Sequence, residues 1–541
     1  MTKLRMRDNL KHILMLAAEN GAITGAKVGG LADVIRDIPP ALARQDVIAD
    51  VVMPGYGKLV ATTQAEFVCD LSVPFGWAVQ RVSVFRCQHP QAPEAHIYLL
   101  EHDLFHSQDG GIYTKSSPDR PFAEDASKFA LFCVSVATAL ATGAIPRPDV
   151  LHLHDWHAGL LALLRAYDPQ FASLQSIPCV FSVHNLAMQG TRPLRQDASS
   201  FEAWYPWLLL TLSSQQLATV CDPRHPQCIN PMRTGIVLSD RVHLVSPSYV
   251  DEVLQPSRAG KGFFGGEGLE QDLRQKKQSD NLIGILNGCE YRQAPEQESV
   301  SGSDGVVDLM GQIEIALIGW QAEKQSVSGV DQIAFSRLNR YWRQESLSQE
   351  KTFLLTSVGR LTDQKMLILR QHQENGQTVL ETLLEIFARI KPAGLFVLLG
   401  SGDHDIAKEF QQIAARRDNF LFLNGYHETL PESLYRLGDL FLMPSSFEPC
   451  GISQMLALRE GQPCLVHGVG GLKDTVTHLE TGFVFNGDSL AAQGDALLKV
   501  FAEALELHRQ PKTWQTLCEQ ARAQRFSWDH SASQYLNRLY V

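Results

Sequence analysis

Short apolar runs alternate with longer amphipathic stretches along the first half of the chain. The apolar runs predict strands at 12–18, 47–54, 149–154, 179–184 and 241–246, and the amphipathic stretches predict helices at 31–45, 123–142 and 157–167. In the helix predicted at 31–45, Leu31, Val34, Ile35 and Ile38 form one apolar face. Strands that alternate with helices indicate a parallel sheet with right-handed crossovers.

The second half of the chain repeats this alternation. Strands are predicted at 352–358, 395–400, 420–423, 439–444 and 464–468, and helices at 378–390, 404–417, 428–437, after Glu448 and after Gly471. A polar segment at 288–305, rich in Gly, Ser, Glu and Gln, separates the halves and predicts a solvent-exposed linker. The pattern therefore predicts two α/β domains, each with a doubly wound parallel sheet.

Length and charge narrow the class of protein. With 541 residues, the chain is too long to fold around a single hydrophobic core, so it should contain more than one domain. Its net charge of −11 disfavours binding to nucleic acid or to an anionic membrane. Ten scattered cysteines without zinc-finger spacing indicate reduced thiols and a cytoplasmic location. The apolar run 13–18 is too short for a signal peptide, and the run 130–145 is too short to span a bilayer and predicts a buried helix.

Polar motifs follow six of the predicted strands. They are HDWH, HNLAMQG, GRLTDQK, GSGD, GYHE and SSFEPCG. Ligands of doubly wound sheets bind at the carboxyl ends of the strands, so this clustering indicates a binding site there. Two glycine turns before helices, Gly29-Gly30 and Gly470-Gly471, suit the close approach of a phosphate to backbone N–H groups. The sequence predicts a cleft between two domains that holds a phosphorylated ligand.

Several of these side chains have both a catalytic and a structural interpretation. Arg360 and Lys365 would neutralise a pyrophosphate, or would form an ordinary surface pair. Glu448 would bind sugar hydroxyls, or would cap a helix. His184 would contact a sugar, or would be a buried structural histidine.

Two aromatic residues in or beside the motifs also have two interpretations each. Trp156, between Asp155 and His157, suits a carbohydrate surface or a core, and Tyr426 suits a nucleobase contact or a strand end. The sequence contains neither an HExxH motif nor a DxD motif flanked by apolar strand residues, so no metal site is predicted.

Nine motifs, taken together, resemble those of the starch and bacterial glycogen synthases. They are KVGGLADV, HDWHAGL, VHNLAMQG, VSPSYVDEV, GILNG, GRLTDQK, GYHE, SSFEPCGISQ and GGLKDTV, in family order from about residue 13 to 486. The resemblance implies the GT-B fold, in which two Rossmann-like domains face each other across a deep cleft. It implies transfer of glucose from ADP-glucose to the 4-hydroxyl of an α-1,4-glucan, with retention at the anomeric carbon and without a cofactor.

The resemblance also implies domain ranges and residue roles. The N-terminal domain would span 1–280, the donor-binding domain 281–510, and C-terminal helices at 511–541 would pack back on the N-terminal domain. The implied catalytic residues are Glu448, His184, Asp155, Arg360 and Lys365. The implied substrate-binding residues are Lys27, Gly29, Gly30, Glu19, Asn185, Gln189, Tyr426, Cys450, Gly451, Gly470 and Gly471.

The chain departs from the family pattern at several positions. Val469 replaces a Thr before the second glycine turn, Met366 replaces a Gly after the Arg/Lys motif, and Glu290 replaces an Asp. Lys128 and Arg233 stand where the family more often has Arg and Lys, and 288–350 shows little family pattern. Three functions therefore compete: an ADP-glucose-dependent glucan synthase, a retaining transferase with another nucleotide sugar or a small acceptor, and a weakly catalytic glucan-binding or regulatory protein.

Overall fold

The computed structural model describes residues 10–107, 111–114, 120–291, 303–324, 328–345 and 352–541. The chain divides into two compact units. Unit 1 contains Met1–Ser257, Gly265–Glu290 and Ser527–Val541, and unit 2 contains Arg258–Phe264 and Tyr291–Phe526. Most of the polar linker predicted at 288–305 lies outside the described residues. Both units are layered α/β structures, as the alternation of apolar and amphipathic stretches predicts.

Unit 1 is built on a nine-stranded sheet of order β11-β10-β7-β6-β1-β2-β5-β4-β3. All neighbours pair in parallel except β5 with β4 and β4 with β3. The strands are β1 (His12–Leu16), β2 (Ile48–Pro54), β3 (Glu66–Phe75), β4 (Ala78–His89), β5 (Ala92–Glu101), β6 (Val150–His154), β7 (Cys179–Val183), β10 (Arg241–Leu244) and β11 (Leu282–Gly284). A separate two-stranded ribbon consists of β8 (Arg192–Pro193) and β9 (Cys228–Ile229).

Helices surround the sheet of unit 1, and the end of the chain joins them. They are α1 (Gly30–Ala43), α2 (Leu59–Thr62), α3 (Ala123–Thr142), α4 (Asp155–Tyr167), α5 (Phe201–Trp204), α6 (Pro206–Thr211), α7 (Ser214–Val220), α8 (Pro231–Leu238), α9 (Pro247–Val253), α10 (Glu270–Gln278) and, after unit 2, α21 (Trp528–Gln534). The indole N–H of Trp528 on α21 donates to the Asp37 carboxylate on α1 at 3.0 Å.

Helix α3 is long and apolar enough to cross a membrane by length and composition, but 83% of its apolar window is buried inside the protein. A core helix meets the same criteria, and the neighbours of α3 are those of a core helix. Its Cys133 Sγ contacts the carbonyl of His157 on α4, and Tyr205 donates to the carbonyl of Ala130. The prediction of a buried helix over 130–145 therefore matches α3 up to Thr142.

Unit 2 is built on a six-stranded, fully parallel sheet of order β14-β13-β12-β15-β16-β17. Its core side chains lie on both faces because helices cover both. The strands are β12 (Leu354–Val358), β13 (Leu395–Leu399), β14 (Phe420–Leu423), β15 (Leu440–Met443), β16 (Cys464–His467) and β17 (Gly482–Phe485).

The helices of unit 2 begin inside the segment without family pattern. They are α11 (Ser303–Lys324), α12 (Gly329–Glu345), α13 (Asp363–Met366), α14 (Val379–Ala388), α15 (His404–Arg416), α16 (Leu430–Leu437), α17 (Ser453–Glu460), α18 (Gly470–Thr475), α19 (Leu490–His508) and α20 (Pro511–Ala523). Leu309, Ile313 and Leu317 of α11 are buried against strand residues such as Val397 and Leu421. The segment therefore contributes two core helices to unit 2.

The domain ranges implied by the resemblance differ from these units at both boundaries. Unit 1 continues through Glu290, so strand β11 belongs to it. Helix α20 belongs to unit 2, and the chain returns to unit 1 at Ser527. A hydrogen bond from Arg522 on α20 to the carbonyl of Glu460 on α17, at 2.8 Å, holds α20 on unit 2.

Candidate active site

The first glycine turn of unit 1 is organised by Glu19. Its carboxylate accepts the backbone N–H groups of Val28 and Gly29 at 2.7 and 2.6 Å, and it accepts the hydroxyl of Tyr113 at 2.7 Å. Because three protein donors hold this buried carboxylate, Glu19 fixes the shape of the turn. Gly30 begins α1, and no heavy atom lies within 4 Å of the position that a Cβ would occupy there.

Lys27 precedes this turn, and its side chain is 41% exposed. Its ammonium group pairs with the Asp33 carboxylate on α1 at 2.6 Å, and Arg36 pairs with the same carboxylate at 3.0 Å. An exposed pair of this kind contributes little to stability and is readily exchanged for another anion. The ammonium group of Lys27 is therefore held beside the open glycine turn.

Asp155 and His184 meet at the ends of β6 and β7. Asp155 is the first residue of α4 and has a φ of +56°, an uncommon left-handed conformation for an aspartate. Its carboxylate accepts the backbone N–H of His184 at 2.7 Å. Burial raises the pKa of Asp155 to about 7, against the effect of hydrogen bonds from the backbone of His184 and Asn185. The HDWH and HNLAMQG motifs are thus joined by one buried carboxyl group.

The imidazole of His184 is neutral near pH 7, because burial lowers its pKa to about 3. Its Nε2 lies 3.0 Å from Nδ1 of His154. His154 had no predicted role, although it is the first residue of the HDWH motif and ends strand β6. Its own Nε2 is buried without a hydrogen-bond partner among the residues that the structure describes.

Asn185 and Gln189 shape the loop after β7. The side-chain oxygen of Asn185 accepts the backbone N–H of Ala187 at 2.9 Å. Buried Gln189 donates to the carbonyls of Leu186 and Glu267, both at 3.1 Å, and accepts from Asn230 at 2.6 Å. Both polar ends of Gln189 are thus engaged within unit 1, so its position is that of a support for the loop.

Trp156 belongs to the hydrophobic core, which was one of the two interpretations that the sequence allowed. Its ring is buried and packs edge-to-face on Phe129, with 5.3 Å between the ring centroids. Gly190, at φ +66°, lies so close that a Cβ there would be 2.1 Å from the indole. This glycine is required by both its left-handed backbone and the tryptophan beneath it.

In unit 2, Glu448 and Lys365 form an ion pair. The carboxylate of Glu448 accepts the ammonium of Lys365 and the hydroxyl of Ser445, the latter at 3.1 Å. The side chain of Glu448 is 8% exposed and that of Lys365 19%. Glu448 caps no helix, because α17 begins at Ser453 after an N-cap residue that makes no side-chain hydrogen bond.

The second glycine turn packs directly on the loop that carries Glu448. A Cβ on Gly470 would lie 2.0 Å from the carbonyl oxygen of Glu448, and one on Gly471 would lie 2.3 Å from that of Cys450. Gly470 also has a φ of +43°. Cys450 is buried, and the Gln454 amide donates to the carbonyls of Cys450 and Gly451, both at 3.0 Å. The two motifs form one rigid surface.

Arg360 and Tyr426 are the exposed members of the predicted set in unit 2. The guanidinium of Arg360, beyond β12, makes no ion pair or hydrogen bond to any residue in the described ranges. Tyr426, beyond β14, is 70% exposed, and its backbone carbonyl accepts the indole N–H of Trp320 at 2.8 Å. A cation and an aromatic ring are therefore both accessible to a ligand at this end of the sheet.

His467 was not predicted as part of the site. It ends β16, where Nδ1 donates to the carbonyl of Ser445 at 3.0 Å and the ring stacks on Phe485. Burial lowers the pKa of His467 to about 4, so the imidazole is neutral. In the sequence, the position of His467 at the end of an apolar strand was the feature that could have identified it as a candidate site residue.

The departures from the family pattern lie outside these contacts. Met366 is buried in the hydrophobic core of unit 2, and Val469 packs against another part of that core. Lys128 donates to Asp125 and to the carbonyl of Ile112, at 2.9 and 2.7 Å. Each replacement is thus accommodated by packing or by an ion pair.

A remaining replacement, Arg233, is likewise paired within unit 1. Its guanidinium bonds the carboxylate of Asp272 through two hydrogen bonds, at 2.8 and 3.2 Å. Bidentate pairs of this geometry are among the stronger ion pairs in proteins. Arg233 therefore joins α8 to α10.

Comparison with known proteins matches both units. Residues 12–275 match the family model described as starch synthase catalytic domain, and residues 339–514 match glycosyl transferases group 1. The chain is 30% identical to the glycogen synthase of Exiguobacterium sibiricum over 522 residues, covering 94% of this chain and 95% of that one. It is 30% identical to the glycogen synthase of Desulfitobacterium hafniense over 525 residues, with the same coverage.

Solved structures share the fold. The catalytic domain of starch synthase IV from Arabidopsis thaliana, bound to ADP and acarbose, superposes with a TM-score of 0.72 at 24% identity, covering 98% of this chain and 99% of that one. The sucrose-phosphate synthase of Thermosynechococcus elongatus gives a TM-score of 0.52 at 15% identity, with 97% coverage of both chains. With full-length relatives at this level of identity, the chain belongs to the glycogen synthase family of glycosyltransferases with the GT-B fold.

Proposed function

We propose that this glycosyltransferase moves glucose from ADP-glucose to the non-reducing end of an α-1,4-glucan, with retention of configuration. The observation that carries the proposal is the Lys365–Glu448 pair, which lies against the second glycine turn near the exposed guanidinium of Arg360. The relatives named glycogen synthases and the starch synthase structure described as bound to ADP support the choice of donor and acceptor. We propose a cytoplasmic location in addition, and all ten cysteines are free in the structure.

The leaving diphosphate is the group that needs most stabilisation. When the bond between the anomeric carbon and the ADP oxygen breaks, negative charge develops on the phosphate. Fixed cations aimed at that charge lower the barrier. Arg360 supplies a guanidinium that pairs with no carboxylate in the described ranges, and Lys365 supplies an ammonium already held in place by Glu448. Substrate phosphate would share the Lys365 ammonium with Glu448.

Glu448 would stabilise the positive charge that develops on the glucosyl ring. The glucosyl ring becomes positively charged as the leaving group departs, and a carboxylate beside it stabilises that charge and accepts sugar hydroxyls. The acceptor 4-hydroxyl then bonds to the anomeric carbon and transfers its proton to an oxygen of the departing phosphate. We propose attack from the face that the phosphate leaves, which retains the configuration without a covalent enzyme intermediate.

The remaining site residues are proposed in supporting roles. Lys27 with the open Gly30 turn would bind an anionic part of the donor, and neutral His184 would accept or donate a hydrogen bond to a sugar hydroxyl. Asp155 would position the backbone of His184 rather than take part in proton transfer, because its carboxylate already accepts that backbone N–H. Tyr426 would pack on the adenine.

The choice between ADP and another nucleotide rests on the packing of the replaced residues. Met366 lies in the core of unit 2, and Val469 makes no side-chain cap for α18, so neither introduces a new group that selects a nucleobase. The exposed ring of Tyr426 is the side chain best placed to do so. These positions favour ADP-glucose, the donor that the resemblance implies, over a changed nucleotide preference.

Radiolabel transfer tests the proposal. The purified protein is incubated with glycogen and either ADP-[14C]glucose or UDP-[14C]glucose, without added metal. We expect incorporation from the ADP donor, and its loss in Glu448→Ala and Lys27→Ala, each with an unchanged circular dichroism spectrum. Incorporation only from UDP-glucose would replace the donor assignment. A folded protein that binds ADP but transfers no glucose from either donor would favour a regulatory, glucan-binding role.

A further inference from the structure

A cavity of about 490 Å³ lies in unit 2, at the end of the sheet where β13 and β14 begin. Leu395, the first residue of β13, and Asn419, which precedes β14, both line it. The GSGD and GYHE motifs follow the opposite ends of these strands. A strand of this length spans roughly 17 Å, so the cavity is separate from the candidate active site.

Arginine dominates the lining of this cavity. Five arginines and two carboxylates line it: Arg337, Arg340, Arg389, Arg416, Arg417, Glu385 and Asp418. The chain as a whole carries a net charge of −11, so a region in which guanidinium groups outnumber carboxylates stands out. Clustered cations in a concave surface concentrate anions from solution.

Three of these arginines are engaged by protein groups. Arg337 donates to the carbonyls of Ala414 and Ala415 and pairs with Asp418 at 2.8 Å. Arg416 pairs with Glu381 at 2.9 Å, and Arg417 pairs with Glu385 at 2.7 Å. These contacts fix the walls of the cavity, and those of Arg337 use all three of its guanidinium nitrogens.

Two other arginines keep most of their donors available. The guanidinium of Arg389 makes no hydrogen bond or ion pair within the described part of the chain. Among the residues that the structure describes, Arg340 bonds only Asp418, and Asp418 already has Arg337 as a second partner. A guanidinium carries five N–H donors in a planar fork that matches phosphate oxygens.

Helix-end electrostatics explains part of this arrangement. Arg389 is the C-cap residue of α14 and Arg416 ends α15, and cations are favoured near helix C-termini. That preference does not account for Arg337 and Arg340, which come from the body of α12. Helix α12 lies in the segment 288–350, which shows little of the family pattern, and it places both guanidinium groups on the cavity.

We propose that this cavity binds a small organic anion bearing at least two phosphate groups, held chiefly by Arg340 and Arg389. Its volume lies within the range of about 300–1,000 Å³ that is typical of small-molecule sites. Buried Tyr341, Leu384 and Leu395 provide an apolar wall for the organic part of the ligand. The site is distinct from donor binding and does not depend on the proposed catalytic function.

Calorimetric titration with inorganic tripolyphosphate tests this site. The full-length protein is saturated with ADP beforehand, so that the phosphate-binding groups of the candidate active site are occupied. We expect one binding event, weakened about tenfold or more in Arg340→Gln/Arg389→Gln, because two charge-assisted contacts are lost. Arg509→Gln is the matched control: Arg509 is exposed, pairs with Glu506 and lies outside the cavity, so affinity should not change.

A variant with the opposite expected sign separates binding from folding. Glu385→Gln removes a carboxylate from the cavity and should tighten tripolyphosphate binding about threefold, which a loss of structure could not do. Should the double variant fail to fold, Arg389→Gln alone carries the test, since its guanidinium makes no hydrogen bond or ion pair with any residue that the structure describes. Absence of binding to the wild type, or equal affinity in the wild type and the arginine variants, would overturn the proposal.

Discussion

The ammonium group of Lys365 donates to the carboxylate of Glu448, although 83 positions separate the two residues. The pair forms because β12 and β15 are neighbours in the parallel sheet, so the loops after them meet. Gln364 strengthens the junction. Its amide donates to the carbonyl of Phe447 at 2.9 Å, and its own carbonyl accepts the backbone N–H of Ser446 at 2.9 Å. The cation and the carboxylate are therefore held in place before a substrate binds.

Replacing Glu448 by Gln should reduce turnover strongly while the protein stays folded. The amide has the shape of the carboxylate and can still bond Ser445, but it lacks the charge that stabilises a positive glucosyl ring. We expect kcat to fall by about 10² to 10³, as for the loss of other preorganised electrostatic groups. Steady-state transfer of label from ADP-glucose measures it. Ser445→Ala is the control, with an expected loss below about tenfold because it removes one neutral hydrogen bond.

The glycine turns of the two units should respond differently to alanine. Gly30 has open space around a Cβ, so Gly30→Ala should melt like the wild type, and any loss of activity would report the approach of a ligand. At Gly471 a Cβ would lie 2.5 Å from the Cα of Cys450, so Gly471→Ala must displace the Glu448 loop and lower the melting temperature. Thermal melts and transfer assays on both variants test this contrast. A Gly471→Ala protein with wild-type melting and activity would refute the close packing.

The strand ends could be predicted from the sequence, and the pairing across them could not. Apolar runs locate β12 and β15, and the motifs GRLTDQK and SSFEPCG follow them directly. Strand order, however, depends on the crossover connections, and nothing local in either motif shows that Lys365 meets Glu448. The sequence therefore identified both side chains but assigned Lys365 only to the diphosphate.

Four larger elements, two strands and two helices, were also missing from the sequence prediction. The antiparallel strands β3 and β4 lie at one edge of the sheet and expose apolar residues such as Phe67 and Val79, which breaks the alternation expected of a half-buried strand. Helix α11 was missed because apolar residues such as Ile315 and Ile318 lie on its exposed side as well, and α12 because polar residues separate its buried positions. In α11 the buried residues Leu309, Ile313 and Leu317 recur every four residues, a signal visible only when that segment is considered apart from the family pattern.

The pH dependence of transfer should reflect Asp155. Its pKa is about 7, so its carboxyl group is protonated below that pH and is a full acceptor for the His184 backbone only above it. We expect kcat to rise through pH 7 in the wild type and to lose this inflection in Asp155→Asn, whose amide oxygen keeps an acceptor without titrating. His184, with a pKa of about 3, should contribute no inflection between pH 5 and 9. A wild-type profile that is flat through pH 7 would contradict the raised pKa.

The titration of Asp155 should also make the stability of the protein depend on pH. The folded-state pKa of Asp155 lies above the ordinary value of 3.8, so the folded protein binds more protons than the unfolded chain between those two values. This group therefore lowers the free energy of unfolding as the pH rises from 3.8 to about 7, and it has a constant effect above that range. Denaturation at several pH values should show a shallower dependence for Asp155→Asn than for the wild type.

Affinity for ADP should depend on Trp320, a residue that the sequence did not implicate. Its indole N–H donates to the carbonyl of Tyr426, and its ring lies where a Cβ on Gly425 would be 2.6 Å away. Trp320→Phe keeps most of the apolar packing but removes the hydrogen bond, which is worth about 1 kcal/mol. We expect the Kd for ADP to rise about fivefold, with little change in kcat, because the exposed ring of Tyr426 would be less firmly positioned. Tyr426→Ala should weaken ADP binding at least as much.

Trp514→Phe provides the matched control for that experiment. Trp514 is also buried in unit 2, where its ring packs on Phe353 and Phe483, in a different part of the core from Trp320. This substitution should lower the melting temperature without changing the Kd for ADP, since no bond connects Trp514 to Tyr426 within the described ranges. Calorimetry on the three variants separates general destabilisation from loss of support at the ring. If Tyr426→Ala weakened ADP binding while Trp320→Phe left it unchanged, the indole would be a packing residue only, and the position of Tyr426 would depend on its own loop.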